Sequence, residues 1–230
     1  MNKSEIMQHI AEIGVIPVVR AESADIALRA IDAIRAGGIS VLEITMTVPG
    51  AIRIIEEVAQ KLGSKAIVGA GTVLDEVTAR QCILAGAQFI VSPALNLHTI
   101  SCCHRYGIVV IPGAMTPTEV VTASSAGADW VKVFPAGALG GPSYIKALKA
   151  PLPHIQLVPT GGVSLKTAAD FILAGAIALG VGTDLVDTKA LRDGEDRLIT
   201  QRARQFVEVV KEARSELKGA RAATSIGDGR

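Results

Sequence analysis

Aromatic residues are scarce in this 230-residue chain: four Phe, two Tyr and one Trp, or 3% of the whole. Ala, Val, Ile, Leu and Gly supply most of the 49% apolar fraction instead. That mix suits short buried parallel strands under helices better than an antiparallel sandwich. Charge of one sign is also missing, since 23 basic residues face 22 acidic ones. With no basic stripe and no interleaved aromatics, nucleic acid is excluded as an expected partner. Cysteine is limited to Cys82, Cys102 and Cys103, with no CxxC spacing. His104 after the adjacent pair invites a metal reading, but neighbouring cysteines poorly aim both sulfurs at one tetrahedral ion. Bland or buried thiols in a reducing compartment are the expectation. Long hydrophobic runs are absent too: Lys3, Glu5, His9 and Glu12 precede an apolar run of only Ile13 to Val19. Neither a signal peptide nor a membrane span fits, so a cytoplasmic enzyme with no membrane partner is expected.

What the chain does have is repetition. Apolar, β-branched runs recur about every ~23 residues, each followed by a helix-patterned stretch. The runs are Val15–Val19, Val41–Thr45, Ala66–Gly69, Gln88–Val91, Ile108–Ile111, Trp130–Phe134, Ile155–Val158 and Ile177–Val181. Amphipathic segments such as Ser23–Ala36, Ala51–Leu62 and Leu74–Ala85 lie between them, several ending at glycine (Gly37, Gly63, Gly86) where a left-handed cap is expected. Eight strand–helix units in roughly 200 residues predict an α/β protein, a closed (β/α)8 TIM barrel. The rival is an open doubly wound sheet, which brings a glycine-rich fingerprint after its first strand. Here Arg20-Ala21-Glu22-Ser23 follows instead. One barrel domain over residues 1–218, with a short N-terminal helix, is the expected organisation. The last helix carries Ile199, Ala203, Phe206, Val210, Ala213 and Leu217 on one stripe, which predicts packing on the barrel. Gly219 is expected to stop it, leaving 219–230 as a flexible tail.

In such a barrel, chemistry sits at the carboxyl ends of the strands. Three ionisable residues fall in or just after apolar runs: Arg20, Glu43 and Lys132. Trp130, Lys132 and Phe134 share one strand face, and Val41, Glu43 and Thr45 share another. The aliphatic alternate faces suit the helix layer, which turns Lys132 and Glu43 toward the barrel axis. A lysine there is costly to bury charged, so its neutral amine becomes accessible. Such an amine attacks a ketone to form an imine, and a nearby carboxylate moves the protons. The same pair also fits a buried ion pair with no reaction. Later, Pro159-Thr160-Gly161-Gly162 and Gly180-Val181-Gly182-Thr183 follow the seventh and eighth runs, the usual phosphate position of these barrels. Asp184 is a complication, because a carboxylate facing an anion opposes it.

These segments together resemble the 2-keto-3-deoxy-6-phosphogluconate aldolase family, also described as 2-keto-4-hydroxyglutarate aldolases. The match runs from Ile16 to about Val186 through Ile16-Pro17-Val18-Val19-Arg20, Leu42-Glu43-Ile44-Thr45, Gly69-Ala70-Gly71-Thr72-Val73, Val91-Ser92-Pro93, Ile111-Pro112-Gly113, Lys132-Val133-Phe134-Pro135, Pro159-Thr160-Gly161-Gly162 and Gly182-Thr183. The resemblance implies that Lys132 forms the imine and that Glu43 is the acid–base residue. It implies that Thr72, Pro93 and Phe134 line the pyruvate half, and that Thr160, Gly161, Gly162, Gly182 and Thr183 lie near the distal alcohol and phosphate. It further implies a cofactor-free, metal-free homotrimer acting on a small keto acid, phosphorylated at its far end. Two departures stand out. Thr47 occupies the position where many members carry a carboxylate-gripping arginine, and Arg20 is the candidate replacement. Thr183 stands where serine is usual.

The expected function is therefore retro-aldol cleavage of 2-keto-3-deoxy-6-phosphogluconate to pyruvate and glyceraldehyde 3-phosphate. The galactonate epimer and 4-hydroxy-2-oxoglutarate remain open as substrates. Two other classes stay beside it: a phosphate-binding barrel isomerase or transferase with Lys132 as a mere cation, and a non-catalytic phosphometabolite-binding protein.

Overall fold

The structure, a computed structural model, describes residues 1–227. Its strands are β1 (Val15–Val19), β2 (Val41–Thr45), β3 (Ile67–Gly71), β4 (Phe89–Val91), β5 (Val109–Ile111), β6 (Gly113–Ala114), β7 (Val131–Val133), β8 (Leu157–Pro159) and β9 (Leu179–Val181). The helices are α1 (Lys3–Ile13), α2 (Ala24–Ala36), α3 (Ala51–Leu62), α4 (Glu76–Leu84), α5 (Leu97–Arg105), α6 (Pro117–Ser125), α7 (Pro142–Lys149), α8 (Ala168–Leu173), α9 (Thr188–Arg192) and α10 (Asp196–Gly227).

All strand pairs are parallel, in two sheets ordered β5-β4-β3-β2-β1-β9 and β6-β7-β8. Only Pro112 separates β5 from β6, so they form one barrel strand interrupted by a residue with no N–H to donate. Backbone bonds carry the curl across that seam: Asp129 N–H donates to Val110 O at 3.1 Å and Lys132 N–H to Pro112 O at 2.8 Å. At the other seam a parallel bridge joins Thr160 to Gly180, and Ile177 N–H donates to Leu157 O at 3.0 Å. The sheet therefore closes into the expected eightfold TIM barrel.

Local chemistry explains the helix starts. Ser23, Asp75, Asn96 and Thr116 each accept an N–H from the first turn of α2, α4, α5 and α6, and Pro117 opens α6 where its missing donor costs nothing. Glycine behaves less uniformly than expected. Gly63 and Gly86 have positive φ, but Gly37 has φ −83° and the left-handed residue is Gly38 at φ 94°. Gly37 is glycine for another reason: a Cβ there would collide with Ala203 of α10.

The long helix α10 packs where expected, against α2 and α8. Ile199, Ala203 and Phe206 are fully buried. Each large side chain of this stripe contributes about 1.5–3 kcal/mol. The Arg29–Asp196 ion pair across the same contact is open to solvent, which screens it and leaves the apolar stripe to carry the contact. The expected stop at Gly219 is corrected: α10 runs through it to Gly227. A single glycine costs a helix interior only about 1 kcal/mol, and the Ala220-Arg221-Ala222-Ala223 sequence that follows is strongly helix-forming. The remainder of the expected tail, 228–230, lies outside the described residues. All three cysteines are buried free thiols, and burial pushes Cys82 up to about 11 and Cys103 up to about 12. Among the described residues, no helix is long and apolar enough to cross a membrane.

Candidate active site

In a parallel ladder, register partners project from the same face. One such row runs Val18–Glu43–Gly69–Phe89–Val109 across β1 to β5. A second runs Gly113–Lys132–Val158 across β6 to β8. Thr160, two residues beyond Val158, bridges Gly180, which in turn is the partner of Ile16, two residues before Val18. The two rows therefore share one face of the closed sheet. Val18, Phe134 and Thr160, all of that parity, line a cleft at the carboxyl ends of the strands, so the shared face is the barrel interior. Lys132 and Glu43 both project inward, as their strand parity predicts.

The two side chains are 3% and 2% exposed, respectively. Room for the carboxyl comes from Gly71, where a Cβ would occupy the space of Glu43 Oε1 and Cδ. Among the described residues Glu43 Oε1 has no hydrogen-bond partner. Burial raises the pKa of this carboxyl above its ordinary value, and the charges of Lys132 and Arg20 only partly oppose that rise. Desolvation thus outweighs attraction, and Glu43 holds its proton more tightly than an exposed glutamate. Both cations are close enough for their charge to act on Glu43. Lys132 Nζ also lies 5.5 Å from the centroid of the Phe134 ring.

The other candidates lie at the carboxyl ends of the strands or in the loops that follow them. Thr72 directly follows Gly71 at φ 57°, a left-handed conformation that is a genuine outlier for a β-branched residue and costs about 1–3 kcal/mol. Pro93 lies past β4, its backbone packed against Gly113, the register partner of Lys132. Arg20, Phe134, Thr160, Gly161, Gly162, Gly182 and Thr183 all line the cleft, with Asp184 among them. Gly161 and Gly162 have φ of 83° and 78°, which glycine adopts without strain. Gly162 also packs against Gly137 so closely that a Cβ would clash. The N–H groups of Gly162, Val163, Thr183 and Asp184 find no acceptor within the chain among the described residues. Such a set is suited to an anion. It does not depend on a long helix, because α8 starts only at Ala168 and has six residues.

Arg20 faces this outer cleft and makes no ion pair among the described residues. Thr47 is exposed, and its hydroxyl lies 2.7 Å from that of Thr45, which donates to Val19 O at 3.1 Å. Three contributors were not singled out from sequence: Val18, Val163 and the space-giving Gly71. Parity with Arg20 would have found Val18, while Gly71 needed the register of β2 against β3.

Comparison with known proteins matches this architecture. Residues 6–202 match the family model described as KDPG and KHG aldolase. The chain is 33% identical over 205 residues to the 2-dehydro-3-deoxy-phosphogluconate aldolase of Treponema pallidum, covering 89% of this chain and 97% of that one. It is 36% identical over 209 residues to the 2-dehydro-3-deoxy-6-phosphogalactonate aldolase of Escherichia coli K12, covering 90% and 99%. Among solved structures, the KDPG aldolase of Legionella pneumophila, with pyruvate captured as a covalent carbinolamine intermediate, superposes with a TM-score of 0.81 at 30% identity, covering 87% and 97%. A parallel barrel with this inward-facing interior and this breadth of similarity identifies an aldehyde-lyase: the chain belongs to the KDPG and KHG aldolase family.

Proposed function

We propose that the protein is a class I aldolase that cleaves a 2-keto-3-deoxy sugar acid to pyruvate and an aldehyde through an imine on Lys132. The carrying observation is the buried lysine sharing the barrel interior with a buried glutamate whose carboxyl pKa is raised by desolvation. Lys132 Nζ attacks the C2 carbonyl carbon, and the carbonyl electron pair collects a proton to give a carbinolamine. Glu43 donates its proton to the C2 hydroxyl, which leaves as water and yields the protonated imine. The Glu43 carboxylate then takes the proton of the C4 hydroxyl. The C3–C4 electron pair moves into the iminium to form an enamine, and C4 departs as the aldehyde. Glu43 returns the proton to C3, and water adds at C2 to release pyruvate and the free amine.

Thr72, Pro93 and Phe134 border the pyruvate half in this reading. The unpartnered N–H groups beside Gly162 and Thr183 support a phosphorylated tail, so 2-keto-3-deoxy-6-phosphogluconate and glyceraldehyde 3-phosphate are the preferred pair. The galactonate epimer and 4-hydroxy-2-oxoglutarate share every reacting atom, and a pyruvate-release assay across the three acids ranks them. Exposed Leu74, Val77, Leu97 and Met115, contributed by the β3–α4, β4–α5 and β6–α6 regions, are apolar surface available for self-association, which in this reading is a homotrimer.

Incubation with pyruvate and borohydride tests the mechanism. The expected result is an inactive enzyme with a reduced adduct mapped to Lys132, and a Lys132→Met variant that folds, turns over nothing and takes no label. Activity that survives this treatment would instead mean an isomerase or transferase in which Lys132 is only a cation.

A further inference from the structure

The outer cleft carries an unusual charge inventory for a phosphate site. Arg20 is its one lining cation among the described residues, and Asp184 lines the same cleft. Among the described residues neither side chain makes an ion pair, and the exposed Asp184 carboxylate has no hydrogen-bond partner. The formal side-chain charges therefore cancel, and only the N–H groups of Gly162, Val163, Thr183 and Asp184 favour an anion. Arg20 is further divided, because its charge also acts on Glu43 at the inner end.

We propose that Asp184 is a specificity-determining residue that weakens the hold on a phosphate dianion and so narrows the advantage of phosphorylated acids over those ending in a free hydroxyl. The proposal rests on the aldolase reading for its substrates but not for its electrostatics. A phosphate ester carries roughly −1.5 to −2 charges near neutral pH, and a carboxylate sharing its cleft repels it. A terminal hydroxyl meets the opposite situation, since a carboxylate accepts its hydrogen bond. With Asp184 in place, the N–H groups keep phosphorylated acids within the substrate range while discrimination against unphosphorylated ones is shallow.

Two measurements on wild type, Asp184→Asn and Asp184→Ala test this. The first is the ratio of kcat/KM for a 2-keto-3-deoxy acid with and without its terminal phosphate. The second is calorimetric binding of inorganic phosphate, which needs no turnover. Both variants are expected to raise the ratio by about five- to tenfold, mainly through KM of the phosphorylated acid, and to tighten inorganic phosphate by a similar factor. Added salt should shrink both effects. A ratio and a phosphate affinity that stay within twofold of wild type would overturn the assignment. Tighter phosphate binding with no pyruvate released from either acid would instead sink the aldolase reading and retain the role of Asp184 against anions.

Discussion

At the inner end, in the barrel interior, Lys132 and Glu43 project from strands and are almost wholly buried, and at Glu43 desolvation outweighs the attraction of the neighbouring charges. At the outer end, Gly162, Thr183 and Asp184 ride on loops, exposed, and meet the solvent with backbone N–H groups and one carboxylate. A low-dielectric interior magnifies each proton position, whereas a wet loop site screens its charges. The inner end is therefore built to govern the rate of bond breaking, and the outer end to govern which tail is held. Substitutions should divide accordingly, into kcat effects inside and KM effects outside.

Replacing Glu43 by Gln is the strongest attempt to break that division. The amide keeps the size of the side chain but can neither give nor take the proton. We expect kcat to fall by ~10²–10⁴-fold with little change in KM, measured by coupled pyruvate release. A raised KM at unaltered kcat would show Glu43 to be a binding group, and the contrast between the two ends would dissolve.

Gly71→Ala sharpens the comparison without touching any ionisable group. Its Cβ would take the space of the Glu43 carboxyl, the far end of a flexible side chain, so the carboxyl gives way and the barrel does not. Displacing a reacting group by about 1 Å costs on the order of 10²-fold. The expected outcome is a loss of that size in kcat with unchanged circular dichroism. Near-wild-type kcat would mean that the acid–base position tolerates slack, which a buried site of this kind should not.

That glycine also marks where sequence stops being informative. β1, β2 and α3 have the limits read from periodicity, because a run of β-branched residues or a clean amphipathic stripe is a local signal. Lys132 and Glu43 were legible for the same reason: a charge inside an apolar run is conspicuous one strand at a time. The division of one barrel strand at Pro112, the continuation of α10 through Gly219 and the contact that makes Gly37 a glycine all depend on partners far along the chain. The facing of Gly71 toward Glu43, and of Asp184 toward Arg20's cleft, needs register between strands and loop geometry. Neither is encoded in any short window.

The smallest expected effect is on stability, and it compares the two ends through solvent alone. Burial raises the folded-state pKa of Glu43 above its unfolded value, with Lys132 and Arg20 only partly opposing. A group shifted in that direction contributes stability that is fully present below its unfolded pKa and is lost as pH rises through the folded one. Glu43→Gln has no such proton to lose. At low pH the two proteins should therefore have similar urea midpoints, and as pH rises the variant should become the more stable. Asp184→Asn, made at an exposed position, should show no comparable trend. A gap that stays flat would mean that Glu43 does not titrate in this range. A gap of opposite sign would mean that attraction to Lys132 and Arg20 exceeds the cost of burial, and that Glu43 stands ready as a base from the outset instead of as a proton donor.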